Sequence, residues 1–143
     1  MRWMNQALHG PLIGSARFPG GRVARFLQPD LRDQLYDDTD ITRTRLYQEL
    51  YQHAFADLCE NETLVLNLGL IEPFPTVFYL LLLKVREEVR ARQARLVLCR
   101  LSPEHQEIFE ILQGSRLFTI AATERQAFLE AGVEMAFGTE EVG

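Results

Sequence analysis

Between Thr63 and Leu101, short apolar runs of strand length flank one apolar-to-charged segment that is too long for a strand. Leu64 to Leu68 and Leu96 to Leu101 have the length and composition of buried strands, and Thr76 to Gln93 between them reads as a helix. Pro73 and Pro75 break the chain ahead of that helix. Strand, helix, strand is the crossover unit that builds parallel sheets. The corner where the helix begins, Glu72-Pro-Phe-Pro-Thr-Val-Phe-Tyr79, occupies the place where such folds put their binding chemistry. It offers one hydroxyl at the helix start, Thr76, with no glycine-rich phosphate loop and no nucleophile beside a histidine. Such a corner suits contact better than catalysis.

Upstream, Leu12–Phe18 and Arg22–Leu27 flank a Pro-Gly-Gly turn and predict a β-hairpin, because glycine supplies the positive φ such turns need. Residues 28–40 form a polar, aspartate-rich connector. Leu46, Tyr47, Leu50, Tyr51, Ala54, Phe55 and Leu58 then recur at helical spacing as a single apolar stripe, with Asp40 or Thr39 as candidate N-cap and Asn61 as its end. Downstream, Ser102-Pro103-Glu104 supplies a cap, a first-position proline and a first-turn acid for a helix that buries Ile108, Phe109 and Leu112 and stops at Gly114. Leu117 to Ile120 reads as the last strand. Thr123-Glu-Arg-Gln126 is a capping box for a final helix with Ala127, Phe128 and Ala131 inward, stopped by Gly132. The expected fold class is α/β: a mixed four- to five-stranded sheet, an antiparallel N-terminal hairpin followed by parallel βα units, covered by about four helices. Residues 1–11 form an N-terminal extension, 12–132 a single domain, and 133–143 a tail whose Val133, Met135 and Phe137 are candidates to dock.

The helix at 76–93 has a further property. Val77 to Leu83 and Val85 make its first half apolar all the way round, whereas packing on a sheet needs only a stripe of about 100°. Either neighbouring elements of the same chain cover the remainder, or another chain does, in a homodimer or a partner complex. From Lys84 onward the helix turns charged, and Glu88 and Arg92 form a favourable i,i+4 pair on a solvated face.

Composition narrows the function classes. A single domain of 143 residues with 47% apolar and 24% charged residues is an ordinary globular protein. A net charge of −5 argues against nucleic acid or an anionic membrane as partner. The apolar window Leu64–Leu83 contains Asn67, Glu72 and two prolines, which excludes a membrane span there. No signal peptide is visible, and Cys59 and Cys99 are too few for a disulfide framework, so Cys99 is expected as a buried thiol and the compartment as cytoplasmic. Asp30, Asp33, Asp37, Asp38 and Asp40 lack the spacing and glycine of a calcium loop, and His9, His53 and His105 are scattered, so no metal site or cofactor is expected. Thr76 and Ser102 each read as a helix cap, and each sits where a helix terminus would also stabilise an anion.

The LVLNL strand, the helix after a short break, RLVLCRLSPE with its helix ending at Gly114, the Leu117-Phe118 strand and the Thr123…Ala127 helix together resemble a STAS domain, the fold of bacterial anti-sigma factor antagonists. The resemblance covers about residues 63–131, with 22–27 matching the strand before. It implies a non-enzymatic partner-switching module that binds an anti-sigma factor kinase and is released by phosphorylation of a serine in an Asp-Ser-Ser-Gly-like motif. Pro75-Thr76-Val77-Phe78 stands at that place, so the phosphoacceptor falls on Val77, which has no hydroxyl, and Thr76 one residue earlier is the remaining candidate. The resemblance therefore implies a contact surface of Glu72, Phe74, Thr76, Val77, Phe78, Tyr79, Leu82 and Ser102, docking a kinase-like protein or a second copy, without the usual switch. Two alternatives stand beside it: a small nucleotide- or anion-binding α/β domain, and a STAS-type scaffold or transport accessory subunit.

Overall fold

The computed structural model describes residues 11–35 and 40–130. The expectations for His9, Asp37, Asp38, Thr39, Ala131, Gly132 and the 133–143 tail lie outside the described residues. The hairpin forms as Ile13–Phe18 (β1) against Gly21–Phe26 (β2), antiparallel, with Gly20 at φ 83° in the turn. Gly21 starts β2 where a Cβ would sit 2.6 Å from the Phe128 ring and 2.7 Å from the Thr63 carbonyl oxygen, so only glycine allows this approach.

Two 3₁₀ turns, Arg32–Leu35 and Ile41–Arg43, break the polar connector. Asp40 caps the second turn, accepting from the Thr42 amide at 2.9 Å. The next helix, α1 (Arg45–Leu50), is capped by Thr44 instead of Asp40 or Thr39, because the chain straightens at Thr44 and its hydroxyl accepts from the Tyr47 amide. α1 widens into a π-helical turn at Tyr51–Phe55, closed by the Ala56 amide donating to the Tyr51 carbonyl. The wider turn swings Tyr51 out to 42% exposure, while Leu46, Tyr47, Leu50, Ala54, Phe55 and Leu58 stay buried as the stripe predicted. Asn61, at φ 69°, lies past the helix end, in the turn before the next strand.

The remaining elements are β3 (Thr63–Asn67), α2 (Thr76–Ala91), β4 (Arg95–Cys99), α3 (Pro103–Ile111), α4 (Gly114–Leu117), β5 (Thr119–Ala121) and α5 (Glu124–Glu130). The last strand starts two residues later than its sequence suggested. After left-handed Gln113, Gly114–Leu117 winds one helical turn first, and Leu112 and Leu117 are left partly exposed.

The sheet runs β1-β2-β3-β4-β5, with β2 to β5 mutually parallel. Each crossover steps one place in the same direction, and right-handed crossovers stepping one way put their helices on one face. Alternation along the strands sorts the core accordingly. Ala24, Phe26, Leu64, Leu66 and Leu98 face the α1, α2 and α3 layer, and Val23, Val65, Val97, Cys99 and Ala121 face the other side, where Ala127 and Phe128 of α5 cover them.

The apolar girdle of α2 is covered within its own chain. Phe78 meets Phe26 edge-on at 5.4 Å, Tyr79 meets Phe109 and Phe118, and the 3₁₀ turns of the connector pack on the helix from another side. Leu80 is the large residue of the girdle left out, at 51% exposure. No helix among the described residues is long and apolar enough to cross a membrane.

Candidate partner-binding site

The corner between β3 and α2 is held by two backbone bonds and one side-chain bond to three neighbours. The Leu68 amide donates to the Cys99 carbonyl at 3.0 Å, and the Glu72 amide donates to the Pro29 carbonyl at 2.9 Å. On the far side, His105 Nε2 lies 2.9 Å from the Glu72 carbonyl. Because a carbonyl only accepts, Nε2 carries the proton, and Nδ1 is left buried with no partner among the described residues. His105 is itself fixed in the first turn of α3, where its amide donates to the capping hydroxyl of Ser102 at 3.1 Å. Phe74 fills the angle between these elements, packing on Phe78 and His105 at 5.0 Å and on Phe109 at 5.4 Å. The two prolines and this aromatic nest set the corner's shape with little freedom left to it.

Of the residues expected to form a contact surface, Glu72 and Thr76 are exposed, and Phe74, Val77 and Ser102 are half-buried. Phe78, Tyr79 and Leu82 are not on the surface. They are sealed in the core, with Phe78 at 1% exposure, because the sheet, α3 and the connector close over the helix on three sides. Burial also pushes the Tyr79 hydroxyl above its ordinary pKa of 10.0, and it donates instead to the Leu112 carbonyl at 3.3 Å. Thr76 is not the cap of α2. Pro75 holds that position in extended backbone and, having no polar side chain, leaves the helix without a side-chain cap. α1, α3 and α5 differ: Thr44, Ser102 and Thr123 each accept from an amide of the first turn. Thr76 and Leu80, one turn apart on the same face, are what α2 shows to solvent at this end.

Beneath the corner, on the α5 side of the sheet, lies a polar cluster the sequence reading did not pick out. Arg25 and Asn67 are register neighbours at the carboxyl ends of β2 and β3. Arg25 reaches Glu124 through two bonds of 2.6 Å, and the Asn67 side-chain amide donates to the same carboxylate at 2.6 Å. Burial alone would push the Glu124 carboxyl up. The donors Arg25 and Asn67, with the charges of Arg25 and Arg100, outweigh it and hold the group below its ordinary 4.5. Asn67 Oδ1 in turn accepts from the Gly69 amide at 2.8 Å, which joins the cluster to the loop that starts the corner. Its signal in the sequence was the two polar residues, Arg25 and Asn67, at strand positions whose parity matches the valines of the second core.

A STAS domain family model matches residues 24–127. A search of curated proteins returns no match. Among solved structures, an anti-sigma-factor antagonist (STAS) domain protein from Planctomyces limnophilus superposes with a TM-score of 0.59 at 17% identity, covering 84% of this chain and 97% of that one. A Thermotoga maritima protein assigned as an anti-sigma factor antagonist gives a TM-score of 0.64 at 9% identity, covering 84% of this chain and 94% of that one. At these identities the likeness is one of fold.

Proposed function

The chain belongs to the STAS domain family, and we propose that it is a non-enzymatic protein–protein interaction module of the anti-sigma factor antagonist kind, docking a kinase-like partner through the α2 corner. The observation that carries this reading is the surface that the corner offers. An uncapped helix start, exposed Thr76, half-buried Val77 and half-exposed Leu80 stand together on a rigid base, and no histidine or cysteine stands among them. Uncapped amides and the positive helix end favour an acidic side chain of a partner beside an apolar contact at Leu80.

Val77 stands where the family resemblance puts the phosphoacceptor. Its lack of a hydroxyl supports a constitutive contact with no serine switch. Docking here leaves Phe78, Tyr79 and Leu82 as the supports of the surface, and Glu72, Thr76, Val77 and Leu80 as its face. The test is co-elution of the full chain with kinase-type anti-sigma factors encoded in the same genome. The wild type should co-elute with one of them, Thr76→Ala should be indifferent, and Leu80→Asp should abolish the complex. Co-elution of Leu80→Asp at wild-type yield would place the contact elsewhere, and failure of every such kinase to co-elute with the wild type would remove the reading.

A further inference from the structure

At the other end of the sheet from the α2 corner, a groove of about 350 Å³ is lined by Arg86, Arg90, Arg95, Leu96, Leu117 and Phe118. Its origin is topological. β5 begins at Thr119 opposite Val97, so Arg95 and Leu96 of β4 run past its end and leave a notch beside the second half of α2. Three guanidinium groups border this notch in a chain of net charge −5, and no carboxylate is among the described residues that line it.

The charges on α2 divide into two sets. Lys84 and Arg92 are matched by the helix's own acids, Lys84 with Glu87 and Glu88, and Arg92 with Glu88. Arg86 and Arg90 have no ion pair among the described residues, and at i,i+4 they stand over one another on the helix surface. Like charges at that spacing repel, so the pair is unfavourable until an anion lies between them. Arg86 is also oriented: its Nε donates to the Leu117 carbonyl at 2.6 Å, which leaves its two terminal nitrogens to meet a ligand. A guanidinium fixed by one bond loses less freedom on forming the next, and its fork matches phosphate oxygens. Ala94, Leu96, Val97 and Phe118 add an apolar wall, and the volume lies within the range of small-molecule sites.

We propose that this notch binds a small phosphorylated compound, its phosphates between Arg86 and Arg90 and a flat apolar body against Leu96 and Phe118. The site is separate from the α2 corner and stands whether or not that corner docks a partner.

Calorimetric titration of the full chain with adenosine diphosphate, inorganic pyrophosphate, adenosine and a hexaglutamate peptide tests it. The diphosphate should bind, pyrophosphate more weakly, and adenosine not measurably, with affinity falling as salt is raised. Arg90→Gln, whose side chain has no bond within the described fold to lose, should weaken the diphosphate by about ten-fold or more. Lys84→Gln, outside the groove, should leave it within about two-fold. Absence of heat from both phosphate probes, or affinity unchanged in Arg90→Gln, would overturn the proposal. Binding of hexaglutamate in preference to the phosphates would overturn it in favour of an acidic-peptide surface.

Discussion

Arg25 and Glu124 are 99 residues apart in sequence and joined by two hydrogen bonds of 2.6 Å, which tie the second strand to the first turn of α5. The carboxylate is almost fully buried while the guanidinium is half in water, so the pair is neither a surface ion pair of negligible worth nor a fully desolvated one. Replacing Glu124 by Gln leaves the Arg25 and Asn67 donors short of acceptors, and should lower stability by about 1–3 kcal/mol at neutral pH in urea unfolding. The sign of the pH dependence follows from the depressed carboxyl. Its contribution is complete above the unfolded-state value near 4.5 and fades as pH falls from there through the lower folded-state value. Glu124→Gln should therefore flatten the loss of stability below about pH 4.5, and an unchanged acid limb would contradict this account.

Gly21→Ala tests the close approach of the hairpin to α5. A methyl group placed 2.6 Å from the Phe128 ring and 2.7 Å from the Thr63 carbonyl has to move one of them, and the backbone oxygen belongs to a paired central strand. The expected loss is about 1–3 kcal/mol in thermal or chemical unfolding.

Phe78 and Leu80 should behave as opposites. Phe78→Ala opens a hole between Phe26 and Phe74 and should destabilise by about 3–5 kcal/mol. Leu80→Asp should leave unfolding within about 0.5 kcal/mol of wild type, as surface substitutions do. A large loss of stability in Leu80→Asp would mean that the residue is covered.

His105→Ala removes the donor that holds the Glu72 carbonyl and the ring that backs Phe74. Stability should fall by about 1–3 kcal/mol. Hydrogen exchange should quicken at the Ile71 and Glu72 amides, whose bonds to Leu68 and Pro29 close the same corner, before it quickens at β3.

Much of this fold was readable from periodicity, because β3 and β4 are apolar runs of strand length and the segment between them is long enough only for a helix. The Ser102 and Thr123 caps were legible because their chemistry is local. Local rules failed first where the backbone left regular α-helical geometry. Tyr51 has the spacing of the buried stripe and leaves it because a π-turn intervenes, and Gly114 opens a helical turn after left-handed Gln113 in place of a direct passage into the strand. At the corner, the sequence marked the α2 girdle as a surplus of apolar surface but not who would cover it. That depended on the connector and on Phe109 and Phe118, which reach α2 only once the chain has folded. The Arg25–Asn67–Glu124 cluster left only the parity of its two strand residues as a signal, since strand register, not spacing, brings its members together.

Because every crossover lands on one side, the valine face of the sheet depends for its cover on a helix that follows all five strands in the chain. Val23, Val65 and Val97 pair side by side in the sheet, and Phe128, which follows all three in the chain, shields them. A chain cut ahead of Glu124 would carry an oily wall open to its neighbours, and shortening this protein from its carboxyl side into α5 should yield inclusion bodies.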